Sequence, residues 1–182
     1  ETFLEHFLSM TTPPLARKTK DGLVDPMKDE FFSAFVFKIQ ANMNPAHRDR
    51  LAFMRICSGK FERNMNVWHE RSAKVIKLAQ PQQFLAQDRQ IIDTAYPGDI
   101  VGLFDPGIFG IGDTICEPSK KFKFADFPVF PPEKFARVQA KDTMKRKQFV
   151  KGIEQLTQEG AIQLFRQAGA GLDSYIVGTV GT

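Results

Sequence analysis

The apolar period of this chain changes at Phe31, and that change limits its fold more than any other feature. Before it, residues 2–10 put Phe3, Leu4, Phe7 and Leu8 on one face of a 3.6-residue period, the pattern of a short amphipathic helix. Thr11-Thr12-Pro13-Pro14 ends that helix, because proline lacks the N–H and disfavours helix in its predecessor. A polar stretch with turn signals at Asp21-Gly22 and Asp25-Pro26 follows. From Phe31 the period is 2. Residues 31–40 set Ser33, Phe35, Phe37 and Ile39 on one face and Phe32, Ala34, Val36 and Lys38 on the other.

The same strand-like texture continues for nearly a hundred residues. Strands are expected over 51–58, 65–69, 74–78, 83–86, 99–104 and 114–117. Ser58-Gly59-Lys60, Gly98-Asp99, Asp105-Pro106-Gly107 and Gly112-Asp113 punctuate them. Many short strands with regular turns and almost no helix predict a closed or nearly closed antiparallel barrel. The run 128–132, rich in proline, reads as a linker. Beyond it a strand at 135–140 precedes a helix that Asp142 or Thr143 can cap, with Phe149, Val150, Ile153 and Leu156 on its apolar side. Gly160 is a natural stop, and strands follow at 161–165 and 175–180 around a Gly-rich turn at 169–171. That strand–helix–strand–strand order is the first part of a split βαβ sandwich. The expected class is therefore mostly β with some α/β. Residues 1–26 form a linking helix and linker, 27–130 a β-barrel, and 131–182 a truncated α+β domain. Incomplete apolar surfaces there are expected to favour association.

Composition sets wider limits. Hydrophobic residues at 42% and charged residues at 25% suit an ordinary packed domain rather than a disordered chain. No apolar run approaches the ~20 residues that span a bilayer. Cys57 and Cys116 lack a CxxC spacing and read as two reduced, buried thiols of a cytoplasmic protein. The 18 Phe against one Trp and two Tyr read as core filler. No GxxxxGK[ST] loop is present to cradle a nucleotide, and no GxSxG elbow to present a serine nucleophile. His47, Asp49 and His69 could converge on a metal, but they have no ligand spacing, and a His47 in the loop with a His69 that decorates a strand explains them more simply. Glu62, Glu70, Asp88 and Asp93 read as scattered surface acids. No catalytic, cofactor-binding or metal-binding set is expected.

The basic residues are more informative. The net charge is +4. Arg48 and Arg50 lie between the first two barrel strands, and Lys60 and Arg63 follow the second. Hairpin ends of a barrel can share a rim, so these four are candidates for a phosphate-facing patch or for ordinary solvated rim. The helix after Asp142 carries Lys145, Arg146, Lys147 and Lys151 in its first turns and Glu154 and Glu159 near its end. That order opposes the helix dipole, at a cost of ~0.3–1 kcal/mol for each exposed charge at low salt. An anionic partner such as RNA phosphate offsets that cost. Such a partner is favoured over the plainer alternative, screening by salt.

Three strings carry a family resemblance. They are Phe35-Val36-Phe37-Lys38-Ile39-Gln40-Ala41-Asn42-Met43, His47-Arg48-Asp49-Arg50-Leu51-Ala52-Phe53 and Arg55-Ile56-Cys57-Ser58-Gly59-Lys60-Phe61. Together they resemble the bacterial peptide chain release factor three family, within the translational GTPases that include elongation factors G and Tu. Gly98-Asp99-Ile100-Val101-Gly102-Leu103 with Ile111-Gly112-Asp113-Thr114 is similar to the paired turn motif of their second domain. Lys147-Gln148, Lys151-Gly152, Gln155-Leu156 and Glu159-Gly160-Ala161 resemble the start of the third. Asn64 stands where the family pattern has glycine, and Asn tolerates a positive φ better than most residues.

The resemblance implies an elongation-factor-type barrel that docks on the small ribosomal subunit, both RNA and protein, beside a GTPase domain in cis that is missing here. It implies GTP or GDP with magnesium in the whole protein, no cofactor in this stretch, and class I release factors as functional partners. No membrane partner is implied. Alternatives are the same modules from an elongation factor G or ribosomal-protection GTPase, a free-standing RNA-binding barrel, and a metal-dependent hydrolase around His47 and His69.

Overall fold

In a computed structural model, residues 2–41, 50–78, 81–85, 88–166 and 174–181 are described. The chain opens with helix α1 (Thr2–Met10), then a two-stranded ribbon of β1 (Arg17–Lys18) and β2 (Leu23–Val24). Next come β3 (Ser33–Ala41), β4 (Arg50–Ser58), β5 (Phe61–Glu62), β6 (Asn66–His69) and β7 (Lys74–Lys77). They are followed by β8 (Pro81–Leu85), β9 (Asp88–Ile91), β10 (Thr94–Ala95), β11 (Ile100–Phe104) and β12 (Thr114–Cys116). Eight strands pair in the order β7-β6-β12-β3-β4-β11-β8-β9, all antiparallel. The sheet curls into a half-barrel around one core, to which the small β5–β10 ribbon adds Phe61 and Ala95.

The long β3–β4 pair shows how sequence becomes packing. Ala34 and Val36 of β3 point into the main core with Ala52, Met54 and Ile56 of β4. The strict alternation expected from residue 31 onward breaks at Phe37. Val36 pairs with Met54 and Lys38 with Phe53, so Phe37 is an extra residue in a β-bulge. One inserted residue flips every later side chain to the opposite face. Ile39 therefore joins Ala34 and Val36, not Phe35 as the simple period predicts.

Phe35 instead belongs to a second cluster on the back of the sheet, with Val24, Cys57 and Phe124. Phe31, Phe37, Phe122 and Phe127 pack against it. Rings meet edge-on or tilted, as in Phe35–Phe127 at 5.2 Å and Phe122–Phe124 at 5.1 Å, pairings worth ~0.5–1.5 kcal/mol beyond area. The Arg17 guanidinium caps the cluster 3.5 Å from the Phe35 ring centroid. Both faces of β3 and β4 are thus covered.

The turns behave as their residues require. A Cβ on Gly59 would meet the Phe31 carbonyl carbon at 2.5 Å, and its φ is +65°. Asn64, in the glycine-like position, has φ 65°, and its N–H reaches Leu78 O at 2.9 Å.

After residue 130 come β13 (Lys134–Gln139), a 3-10 turn (Thr143–Lys145), α2 (Arg146–Gln158), β14 (Gln163–Phe165) and β15 (Ser174–Thr179). Their sheet order is β13-β15-β14. Ile153 is buried in α2, and Phe149 tilts on Tyr175 at 6.1 Å. Gly160 closes the helix at φ +75°. No helix among the described residues is long and apolar enough to cross a membrane.

Candidate functional site

Two features stand out: a clamped loop where the half-barrel meets α2, and the basic face of α2 itself. The loop joins β11 to β12. Asp105 begins it with a buried carboxylate, whose Oδ1 accepts from the N–H groups of Gly107, Ile108 and Phe109 at 2.8, 2.7 and 3.2 Å. Arg50 Nε donates to its other oxygen at 2.6 Å, and Arg50 also donates to Phe109 O at 2.8 Å. Asp113 ends the loop in the same manner. Arg71 forms a fork on it at 2.6 and 2.9 Å, His69 Nε2 donates at 2.8 Å, and Gly110 N–H donates at 2.7 Å. Burial is the largest single influence on the Asp113 carboxyl and pushes its pKa up. The hydrogen bonds from His69, Arg71 and Gly110 together outweigh it, leaving the carboxyl below the ordinary value of 3.8. Asp113 in turn raises the pKa of Arg71, chiefly through their hydrogen bond.

The clamp crosses to the second unit. Arg50 donates to Gln158 Oε1 at the end of α2. The Ile111 side chain reaches within 3.0 Å of where a Gly160 Cβ would stand. Between them lies a cavity of about 670 Å³, lined by Arg71, Ile111, Phe127, Val129, Thr157 and Gly160 among others. Its charged groups have partners, Arg71 with Asp113, Glu70 with Trp68 and Lys123 with Asp126, and the described residues that line it include no arrangement of nucleophile and base. The geometry here fixes position.

The basic face is built differently. Asp142 caps the 3-10 turn by accepting from Met144 N–H at 2.8 Å. Helix α2 then starts at Arg146 with no acidic residue in its first turn and no side-chain cap at Lys145. Lys145, Arg146, Lys147 and Lys151 are all exposed. The apolar stripe of the helix turns them outward, because Phe149, Val150 and Ile153 must face the sheet.

The other predicted cations have different fates. Arg48, with His47 and Asp49, lies outside the described residues. Arg50 is turned inward to the loop and to Gln158 rather than outward to a rim patch. Its side chain is 14% exposed, because the buried Asp105 carboxylate needs a counter-charge. Lys60 pairs with Glu62 at 3.0 Å and Arg63 with Asp93 at 3.4 Å, both at the surface. His69 is fully buried and bound to Asp113 and Ser72, a structural role. No three His, Cys, Asp or Glu gather as a metal site among the described residues. Both cysteines are buried and free. Burial pushes the Cys57 thiol up to about 12.

Sequence reasoning missed Asp105 and Asp113 as buried acceptors. The signal was present in Asp105-Pro106-Gly107, since a short acid before a Pro-Gly turn accepts from the turn's own N–H groups. It also missed Arg166, which lines a groove with Arg146, Lys147 and Lys151.

Comparison with known proteins covers both units. The family model for elongation factor G domain 2 matches residues 31–118, and that for the class II release factor RF3 C-terminal domain matches residues 124–182. The chain is 59% identical over 181 residues to peptide chain release factor 3 of Symbiobacterium thermophilum. It is 53% identical over 181 residues to the protein of that name from Listeria welshimeri, and 52% identical over 182 residues to that of Ligilactobacillus salivarius. Each alignment takes in 100% of this chain and 34% of the relative, so the chain spans about a third of the length of the curated relatives it matches.

Proposed function

The chain belongs to the peptide chain release factor 3 family of bacteria, and from that premise we propose that it is the ribosome-docking portion of a translation termination factor. In this reading the half-barrel and the α+β unit meet at the Arg50–Gln158 contact, with Arg50 itself held by Asp105. The basic face of α2 then meets the small subunit, with Lys60 and Arg63 as further contacts on the barrel side and Arg48 in the segment before β4. The whole protein acts in the cytoplasm. It uses GTP to release class I release factors after the peptide has left. GTP or GDP and its magnesium belong to the part of the relatives that this chain does not span. No residue of this chain is given a role in holding them.

The observation that carries the proposal is the set of cations at Lys145, Lys147 and Lys151, exposed at the wrong end of the helix for its dipole. A sequence that breaks a local rule so consistently is keeping those charges for something outside the chain. The match of residues 124–182 to a release factor domain supports this reading over an elongation factor G one. Nothing in the geometry favours a free-standing RNA-binding barrel, whose stacking aromatics line an exposed groove. Most of the half-barrel's Phe rings are packed in its two core clusters, Phe32, Phe61 and Phe109 in the main one and six more behind β3 and β4.

Co-sedimentation with vacant ribosomes across a salt series tests the proposal. Saturable pelleting that weakens steeply with salt is expected. No pelleting at low salt would contradict it.

A further inference from the structure

The cations of α2 share a groove with a second element. Arg146, Lys147 and Lys151 line it from the helix, and Arg166, just past β14, lines it from the sheet beside the buried Tyr175. Arg166 is held rather than loose. Its guanidinium carbon lies 5.0 Å from the Tyr175 ring centroid, and one of its nitrogens lies 3.4 Å from the Tyr175 hydroxyl. Lys147 and Lys151 sit one helical turn, ~5.4 Å, apart along the same side. Like charges at that spacing repel each other. Glu154 is the one carboxylate among the described residues that line the groove. Among the described residues, four cations and a single acid thus converge from two elements.

Resting on the docking reading, we propose that this groove takes the phosphate backbone of an unpaired RNA strand, with Arg166 as the residue that fixes its position. A phosphate strand presents acceptors along its edge, and the groove presents almost only donors. The planar Arg166 fork suits two phosphate oxygens at once, and its contact with Tyr175 pre-orients it. An acidic polypeptide would bring backbone N–H groups as well, and Glu154 is the only charged acceptor among the described lining residues to receive them.

The test is fluorescence anisotropy of a labelled oligouridylate with the 182-residue chain across a salt series. Arg166→Gln and Lys151→Gln are each expected to weaken binding several-fold and to reduce the slope of log K against log salt by about 0.7. Arg166→Lys keeps the charge and is expected to retain the slope while losing part of the affinity. Poly-glutamate in place of RNA is expected to bind far more weakly. Should Arg166→Gln unfold the unit, the exposed Lys151→Gln carries the test. Unchanged affinity and slope in the variants would overturn the proposal, and so would poly-glutamate binding as tightly as RNA. Ribosome pelleting that persists beside unaltered oligouridylate binding would keep the docking reading and reject the groove. Groove-dependent oligouridylate binding without ribosome pelleting would uphold the groove and reject docking.

Discussion

The half-barrel and the α+β unit solve the same problem in opposite ways. In the half-barrel both faces of β3 and β4 are covered, one by the main core and the other by the Phe35–Phe124 cluster. Its buried polar groups are satisfied, down to the two loop carboxylates. In the α+β unit Ile153 and Tyr175 are the buried hydrophobic side chains among the described residues. The side chains of β13 are exposed except for the half-buried Val138, and Phe135 and Phe165 face each other at 5.8 Å near the surface. The basic residues follow that division. Residues 131–182 hold eight Lys and Arg against five Asp and Glu, out of 25 and 21 in the whole chain, so +3 of the +4 net charge resides in fewer than a third of the residues. The half-barrel fixes geometry. The α+β unit leaves its charge and much of its apolar surface exposed.

The contrast can be broken most directly at Asp105. Asp105→Ala leaves Arg50 without its buried partner and three N–H groups without an acceptor, a loss of about 3–5 kcal/mol. Urea unfolding should show that loss, together with weakened coupling of α2 to the half-barrel. A loss below about 1 kcal/mol would mean that water replaces the carboxylate and the clamp is not structural.

Core truncations sharpen the comparison next. Met54→Ala in the half-barrel should cost about 2–5 kcal/mol, whereas Val150→Ala on the half-buried side of α2 should cost under about 1.5 kcal/mol. Equal costs in thermal unfolding would show that the two units are packed alike.

Acid should act on the half-barrel through Asp113. Its folded pKa lies below its ordinary value of 3.8. The carboxylate therefore contributes stability that is fully present above about pH 4 and is lost as the pH falls through the lower folded value. Asp113→Asn should lower stability at neutral pH and flatten that acid limb. An unchanged limb would place the acid sensitivity elsewhere.

Much of this architecture was legible in the sequence, and the exceptions have physical causes. Helix α1, the long β3–β4 pair and the β13-α2-β14-β15 order followed from period and turn residues, and Asn64 took the positive φ expected of it. Two-residue strands such as β5 and β10 are too short to carry a period. The bulge at Phe37 leaves no local mark, because either register buries aromatics. Phe122, Phe124 and Phe127 lie in an irregular stretch, and only the folded sheet shows what they cover. The site divides similarly. Clustered lysines on α2 are visible in a linear sequence, but the inward turn of Arg50 depends on Asp105, 55 positions away. Arg166 joins the basic groove only because β14 lies beside α2.

The smallest predicted effect on stability bears most directly on function. Glu in place of Lys145 and Lys147 puts acids at the helix N-terminus, where the dipole favours them by ~0.3–1 kcal/mol each. The decisive measurement is thermal stability and ribosome co-sedimentation of that double variant, side by side with the unmodified chain. The account predicts a fold of equal or slightly higher stability that no longer pellets with ribosomes at moderate salt. Undiminished pelleting would contradict it, and would show that the basic face of α2 is ordinary solvated surface.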